Sequence, residues 1–364
     1  MATRRNFLRL VGTTAAGGVI TQYSSDIARA LQQATDGPKE VVWFQGQSCT
    51  GCTISTLQAE YPTLEEALSA FRLAVTFHPT IMAEAGQPAI DSMSTDPDIL
   101  IVEGSIPTDI PEAATIGHRT AEEWVTELAP NADLVVAVGN CACFGGWPAA
   151  ENRRRVHGLG PNVTGAQGLQ FEHREKGGVL GGEFASGLDL PVVNLSGCPP
   201  NPDYVLLTLA TVLNGHVPEL DRYQRPKPFY EPLVHDNCMH RGEFDRGEFA
   251  EKPGDPGCLI KTGCKGPYTN CDDQERLWND GTSVCLNVSA PCIGCMEPAF
   301  WDRFSPFREE IEDSPVLGNV SATQAGAAGV VAAAAGIGAH MGRKAMGYGK
   351  FEDENSAEPE EEAD

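Results

Sequence analysis

Basic residues, and lysine in particular, are scarce in this sequence. The 364 residues contain 26 Lys and Arg, of which only 8 are Lys, against 50 Asp and Glu, and the formal net charge is −24. A chain this acidic lacks the positive surface that binding to nucleic acid or to an anionic membrane requires. Eight of the acids lie in residues 352–364, so the rest carries about −16. The acidic, lysine-poor body favours a halophilic origin, with an ordinary soluble acidic protein as the alternative.

Long runs of strongly apolar residues are also missing. Residues 314–342 contain no Asp, Glu, Lys or Arg, and this stretch is long enough to cross a membrane, but it consists mostly of Ala and Gly. Two interpretations stay open: a membrane anchor, or a helix packed on the surface or on a partner. Residues 343–364 are expected to form an acidic, disordered tail.

The amino terminus has the pattern of an export signal. Arg4 and Arg5 precede a weakly apolar run and a group of small residues, which is typical of a twin-arginine signal over residues 1–34. That route suits proteins that leave the cytoplasm already folded, for example with a cofactor inserted.

The body has an α/β pattern. Continuous apolar runs predict strands, and between them lie helical stretches such as Thr53–Ala70 and Thr120–Leu128. The predicted strands are Glu40–Gln45, Leu73–Phe77, Asp98–Glu103, Leu134–Val138 and Pro191–Leu195. The alternation predicts a doubly wound parallel sheet.

Four cysteines directly follow predicted strands. Cys49 and Cys52 come after the first run, Cys141 after the fourth and Cys198 after the last. Because ligands bind at the carboxyl edge of open parallel sheets, these four thiols are expected to meet there. Four thiolates suit zinc or an iron–sulfur cluster, and disulfides are the structural alternative. One local pair with two distant single cysteines favours the iron–sulfur cluster.

From Pro226 onward the chain is rich in Pro, Gly and Cys and poor in apolar runs. Such a region cannot build much core alone, so bound metal is expected to stabilise it. Its candidate ligands are enough for two further clusters: His235, Cys238, Cys258, Cys264, Cys271, Cys285, Cys292 and Cys295.

Taken together, the motifs resemble the small subunit of nickel–iron hydrogenases. They occur in the order of that family from residue 4 to about residue 305: Cys49–Cys52, Gly139–Ala142 with Gly145-Gly146, Gly197–Pro202, His235-x2-Cys238, Gly263–Pro267, and Pro291–Cys295 followed by Trp301-Asp302. The first three motifs are more weakly similar to one of the subunits of respiratory complex I, from a family that lacks the second cysteine region.

The resemblance implies three clusters. Cys49, Cys52, Cys141 and Cys198 match the proximal 4Fe–4S ligands; His235, Cys238, Cys258 and Cys264 match the distal 4Fe–4S ligands; Cys271, Cys292 and Cys295 match the medial cluster, which is 3Fe–4S in most members. It also implies a flavodoxin-like domain over residues 35–225, followed by a cluster-binding domain over residues 226–310.

The sequence departs from the family pattern at several positions. Cys285 stands where the family usually has Pro, so a fourth thiolate is available and a medial 4Fe–4S cluster is expected. Ser48 replaces a frequent Glu, so any role of that Glu does not transfer. Gly51 and Gly146 stand where oxygen-tolerant members have extra cysteines. Cys143 has no counterpart and is expected to be simply buried.

No cysteine pair remains for a nickel–iron centre, which in this family belongs to a large subunit. The predicted function is therefore that of the electron-transfer subunit of a hydrogenase heterodimer, without catalytic residues of its own. The resemblance and the carboxy-terminal stretch suggest H2 oxidation at the outer face of the cytoplasmic membrane, with a cytochrome b as acceptor. The alternatives are an exported multi-cluster electron-transfer protein without a hydrogenase partner, and a protein stabilised by zinc or disulfides.

Overall fold

The structure is a computed structural model, and it describes residues 38–60, 62–150, 163–279, 281–298, 300, 315–317 and 320–321. The chain divides into two compact units, residues 1–310 and 311–364. The predicted export signal and acidic tail lie outside the described residues, as does most of the segment 314–342. No helix among the described residues has the length and apolar character needed to cross a membrane.

The strands are short outside one central sheet. In chain order they are β1 (Lys39–Gln45), β2 (Leu73–Phe77), β3 (Ile99–Glu103), β4 (Ile106–Pro107), β5 (Thr115–Ile116), β6 (Arg119–Thr120), β7 (Leu134–Val138), β8 (Ala166–Gln167), β9 (Phe171–Glu172), β10 (Glu175–Lys176), β11 (Val193–Leu195), β12 (Pro315–Leu317) and β13 (Val320–Ser321). The last two form an antiparallel pair in the second unit.

The helices follow the same order. They are α1 (Gly51–Leu57), α2 (Leu64–Phe71), α3 (Gln87–Asp91), α4 (Ala121–Leu128), α5 (Gly139–Phe144), α6 (Gly146–Ala149), α7 (Pro202–Leu213), α8 (Lys227–Tyr230), α9 (Arg241–Arg246) and α10 (Asp273–Arg276). Single turns of 3-10 helix span Pro111–Ala113, Leu259–Thr262, Gly266–Tyr268 and Cys285–Val288.

The central sheet has five parallel strands in the order β11-β7-β3-β1-β2. Counted along the chain, this is the order 2-1-3-4-5 of flavodoxin-like folds, so the predicted fold class is confirmed. All five strands lie where the apolar runs predict them.

Successive residues of the strands point to opposite faces of the sheet, and both faces are covered. Val41 and Ile101 pack on one face with α7, whereas Val42 and Leu100 pack on the other face with α4. Because both faces are buried, the strands have continuous apolar sequences rather than alternating ones.

One helix prediction was wrong. The stretch Thr53–Ala70 is not a single helix, because α1 ends at Leu57 and α2 begins only at Leu64. Pro62 disfavours a helical conformation at the preceding residue, and the side chain of Thr63 accepts a hydrogen bond from the Glu66 backbone N–H in a capping box that starts the new helix. The predicted helix at Thr120–Leu128 is confirmed as α4, capped by Thr120.

The cysteine-rich region packs directly on the sheet domain. Phe229 and Leu286 share a hydrophobic core with Tyr204 of α7, and the rings of Tyr204 and Phe229 stack with centroids 4.6 Å apart. This region therefore uses part of the core of the sheet domain instead of forming a separate one.

Gly104, directly after β3, allows two loops to approach closely. It has a φ of +90°, and a Cβ at this position would lie 2.8 Å from the carbonyl carbon and oxygen of Gln47. Those loops are joined by hydrogen bonds between the backbones of Gln47 and Ser105. They form the carboxyl edge of the sheet next to Cys49.

We expect Gly104→Ala to lower the free energy of unfolding by about 1–3 kcal/mol, because alanine at this φ is strained and its methyl group meets backbone. The measurement is the midpoint of urea-induced unfolding. Gly177→Ala is the control, since a Cβ there has no atom within 4 Å. Equal midpoints for the two variants would contradict the prediction.

Candidate functional site

Four cysteines meet at the carboxyl edge of the sheet. Cys49 follows β1, Cys52 lies in α1, Cys141 lies in α5 after β7, and Cys198 follows β11. We call them the first group. The pKa of the Cys52 thiol is raised well above its ordinary value, mainly by burial. The charges of four neighbours raise it further: Glu103, Cys141, Cys198 and Cys49. The four sulfurs therefore lie within electrostatic reach of each other, as the strand ends predict.

Gly139 makes room for one of these sulfurs. It has a φ of +87°, and a Cβ there would lie only 2.3 Å from Sγ of Cys52. A side chain at this position would occupy the space that the thiol fills.

Glu103, at the end of β3, lies under the first group and was missed in the sequence. The residue is only 1% exposed. It accepts hydrogen bonds from six donors: Trp43 Nε1, Gln45 Nε2, Ser48 Oγ, the backbone N–H groups of Cys52 and Thr53, and Thr53 Oγ1. Glu103 thus holds the loop that carries Cys49 and Cys52. The sequence feature that could have revealed Glu103 is its position as a single acid at the carboxyl end of an otherwise apolar strand.

Trp147 is a second residue that the sequence did not indicate. Its backbone N–H donates a hydrogen bond to Cys141, and its side chain donates one to Cys198. Both bonds favour the thiolate, although burial is the larger effect and raises the pKa of Cys141 to about 12. The contact depends on the turn between α5 and α6 at Gly145-Gly146, a motif that was part of the family resemblance but indicated no role for the tryptophan that follows it.

The second group consists of His235, Cys238, Cys258 and Cys264. These four side chains line one small cavity of about 10 Å³ together with apolar residues such as Leu259 and Pro267. Burial raises the pKa of all three thiols. Burial also lowers the pKa of His235, and the positive charge of Arg241 lowers it further. Both effects favour the neutral form of the imidazole.

The third group consists of Cys271, Cys285, Cys292 and Cys295. These residues line a cavity of about 440 Å³, which Cys198 of the first group and Asp273 also line. Cys285 stands at the open side, where its side chain remains accessible, yet the surrounding protein and the Asp273 charge raise its thiol pKa to about 11. The other three thiols also have raised pKa values, because they are buried.

A repeated backbone arrangement stabilises negative charge on the sulfurs of the second and third groups. In five cysteines the backbone N–H two residues later donates a hydrogen bond to Sγ: Cys238, Cys258, Cys264, Cys271 and Cys292. The distances are 3.3 Å from His240 N to Cys238 and 3.4 Å from Gly266 N to Cys264. Such donors are typical of sites that hold iron–sulfur clusters.

Two contacts join the three groups in series. The backbone N–H of Cys198, in the first group, donates a hydrogen bond to Sγ of Cys295 in the third group. The backbone N–H of Cys292, in the third group, donates one to Sγ of Cys264 in the second group. The third group therefore lies between the other two.

The donor sets fit iron–sulfur clusters. All twelve cysteines are free of disulfides. No three Cys, His, Asp or Glu side chains in the described part of the chain are close enough to share one metal ion. Sets of four Cys or of three Cys and one His, with backbone donors to sulfur, suit a cluster that fills the space between its ligands. Cys143 belongs to no group: it is fully buried, as predicted, and its thiol donates to the carbonyl of Ala137 at 3.4 Å.

Two family models match this chain. Residues 230–308 match the C-terminal family of NiFe/NiFeSe hydrogenase small subunits, and residues 49–212 match the NADH ubiquinone oxidoreductase, 20 Kd subunit family. The hydrogenase match covers the second and third groups, and the oxidoreductase match covers the first group.

Individual relatives match over most of their length. The chain is 35% identical to the F420 non-reducing hydrogenase II small subunit of Methanosarcina mazei, over 95% of this chain and 94% of that one. It is 38% identical to the periplasmic [NiFeSe] hydrogenase small subunit of Desulfomicrobium baculatum, over 84% and 98%. A chain of the solved [NiFeSe]-hydrogenase of Dm. baculatum superposes with a TM-score of 0.63 at 35% identity, over 75% of this chain and 99% of that one. This protein therefore belongs to the small subunits of nickel–iron hydrogenases, the iron–sulfur-carrying, electron-transfer subunits that pair with a hydrogenase large subunit.

Proposed function

We propose that this protein transfers electrons singly from H2 oxidation in the large subunit to an external acceptor, through three iron–sulfur clusters held by the three groups. The first group is the proximal site, the third group the medial site and the second group the distal site. The observation that carries the proposal is the pair of N–H···S contacts that joins the groups in this order.

When bound, iron–sulfur clusters supply reversible one-electron chemistry. The residues of this chain would hold them, exclude water and adjust their charge. At the proximal site Cys49, Cys52, Cys141 and Cys198 would be the ligands. The carboxylate of Glu103 lies close enough to Cys52 to raise its thiol pKa, and a nearby anion also disfavours an added electron.

The distal site would be held by His235, Cys238, Cys258 and Cys264. A neutral imidazole in place of a thiolate leaves the site with one negative charge fewer, which raises the reduction potential there. The lowered pKa of His235 supports this role, because a metal ligand must be unprotonated.

The medial site would be held by Cys271, Cys285, Cys292 and Cys295. Cys285 supports a 4Fe–4S cluster because it lines the same cavity as the other three thiols and its charge acts on both Cys292 and Cys295. A fourth thiolate and a fourth iron lower the potential at this site relative to a 3Fe–4S cluster.

Export is part of the proposal. The twin arginine at residues 4 and 5 supports the twin-arginine route, and the relative from D. baculatum is named periplasmic. The charge-free segment 314–342 supports attachment to the outer face of the cytoplasmic membrane, where a cytochrome b would be the acceptor.

Native purification tests the proposal as a whole. We expect a brown complex with a larger, nickel-containing partner and about twelve labile sulfides per nickel, the number that three clusters with four sulfides each contain. Iron and acid-labile sulfide analysis, with identification of the polypeptides, provides the measurement. Iron-containing protein without a nickel partner would favour the exported electron-transfer protein instead. Colourless material with cross-linked cysteines would rule out both.

The variant Cys285→Ala tests the medial site. In the native complex we expect no strong 3Fe–4S signal by electron paramagnetic resonance of the oxidised protein, whereas the variant should show one, since only three thiolates remain. Cys143→Ala is the matched control, because Cys143 is a buried cysteine outside every group, and its spectrum should equal that of the native complex. A strong 3Fe–4S signal in the native complex would show that Cys285 is not a ligand.

A further inference from the structure

Three consecutive backbone carbonyls, in the segment that carries Cys295, accept hydrogen bonds from side chains of other parts of the chain. This segment, residues 295–297, has no regular secondary structure. Asn140 Nδ2 donates hydrogen bonds to the carbonyls of Cys295 and Glu297 at 3.2 and 2.9 Å. Ser196 Oγ and Arg225 Nη1 both donate to the carbonyl of Met296 at 2.8 Å. We call Asn140, Ser196 and Arg225 the clamp.

Two members of the clamp come from the loops that present the proximal ligands. Asn140 directly precedes Cys141, and Ser196 lies two residues before Cys198. The backbone N–H of Asn140 also donates to the carbonyl of Gly197 at 2.8 Å, which ties these two loops together. The loops that carry Cys141 and Cys198 of the proximal site therefore fix the position of the segment 295–297 directly.

The third member, Arg225, is held rigidly. Its side chain is 3% exposed, and its Nε and Nη2 each lie 2.8 Å from Oδ2 of Asp221. Nη1 lies 3.6 Å from Oε1 of Glu297, and the guanidinium lies 4.8 Å from the ring centre of Tyr230. A buried cation with these partners cannot change its rotamer without leaving charges unpaired.

We propose that the clamp sets the gap between the proximal and medial sites, so that Asn140, Ser196 and Arg225 are positioning residues for electron transfer. This inference rests on the proposed relay. Buried carbonyls need hydrogen-bond donors in any protein, so satisfaction alone does not indicate a role. The position of the clamped segment indicates a role. Its Cys295 sulfur accepts a hydrogen bond from the backbone N–H of Cys198, and this contact is the junction between the two sites.

The test separates chemistry at the nickel from transport through the small subunit. Exchange of H2 with D2O to give HD returns both electrons to the same metal centre, so it needs no relay. Oxidation of H2 releases two protons and two electrons, and the electrons must pass in succession through the relay to a one-electron dye such as benzyl viologen. The ratio of these two activities in the native complex reports electron transfer alone.

For Asn140→Ala we expect unchanged iron content and unchanged exchange, with dye-linked H2 oxidation lowered by about tenfold, the loss typical of a residue that orients a metal ligand. Ser196→Ala, which removes a single donor, should show a smaller fall in the same ratio. Gln170→Ala is the matched control: Gln170 is a buried amide that donates to the carbonyls of Gly182 and Phe184 at 3.0 and 2.9 Å and accepts from the Val192 backbone N–H, so none of these side-chain hydrogen bonds involves a cysteine. Its ratio should equal that of the native complex.

Two results would overturn the clamp. One is Asn140→Ala with full iron content and an unchanged ratio of the two activities. The other is loss of iron from both clamp variants but not from Gln170→Ala, because the residues would then hold the clusters instead of spacing them. Failure of the proposed relay looks different, since the native complex itself would then lack H2 exchange or nickel.

Discussion

The placement of negative sulfur in a protein interior is the constraint on which this structure depends. Burial raises the pKa of Cys52, Cys258 and Cys271, one cysteine from each group, so a thiolate at these positions costs free energy. In the proposed sites bound iron would offset that cost, and the backbone N–H donors to sulfur reduce it further. The cysteine-rich region has little apolar core apart from the one it shares with α7. Cluster binding and folding would therefore be coupled in this region, whereas the parallel sheet is stabilised by its own two buried faces.

The topology of the sheet explains where the first group forms. Parallel strands end at one edge, and the reversal of strand order between β1 and β3 opens a crevice at that edge. Cys49 and Cys52 follow one of these strands, and Glu103 ends the other and holds their loop. The edge thus provides both the cysteines of the first group and the polar support beneath them. The irregular region then packs against the same edge through Cys198 and Cys295.

The sequence predicted the parts of the molecule that depend on local pattern. Continuous apolar runs gave the five strands, and cysteines after strand ends gave the first group, because both follow from the geometry of parallel sheets. The break at Pro62 was missed because the helical pattern was given more weight than the proline. Glu103 and Trp147 were missed for another reason: their roles depend on contacts between distant loops. The role of Asn140 was not indicated by the sequence either, although the residue lies in one of the family motifs. It is 155 residues from Cys295, whose carbonyl accepts its hydrogen bond.

A buried cation lies at each of the two junctions between the groups, although the chain as a whole is strongly acidic. Arg225 donates to the carbonyl that follows Cys295, at the contact between the first and third groups. Lys265 is 1% exposed, its charge lowers the pKa of Cys264, and its backbone N–H donates to the carbonyl of Cys292 at 2.7 Å, at the contact between the third and second groups. In the proposed relay, an electron that passes a junction would add negative charge where thiolates are already concentrated. A fixed positive charge at each junction reduces that cost locally, which a surface cation could not do through screening water.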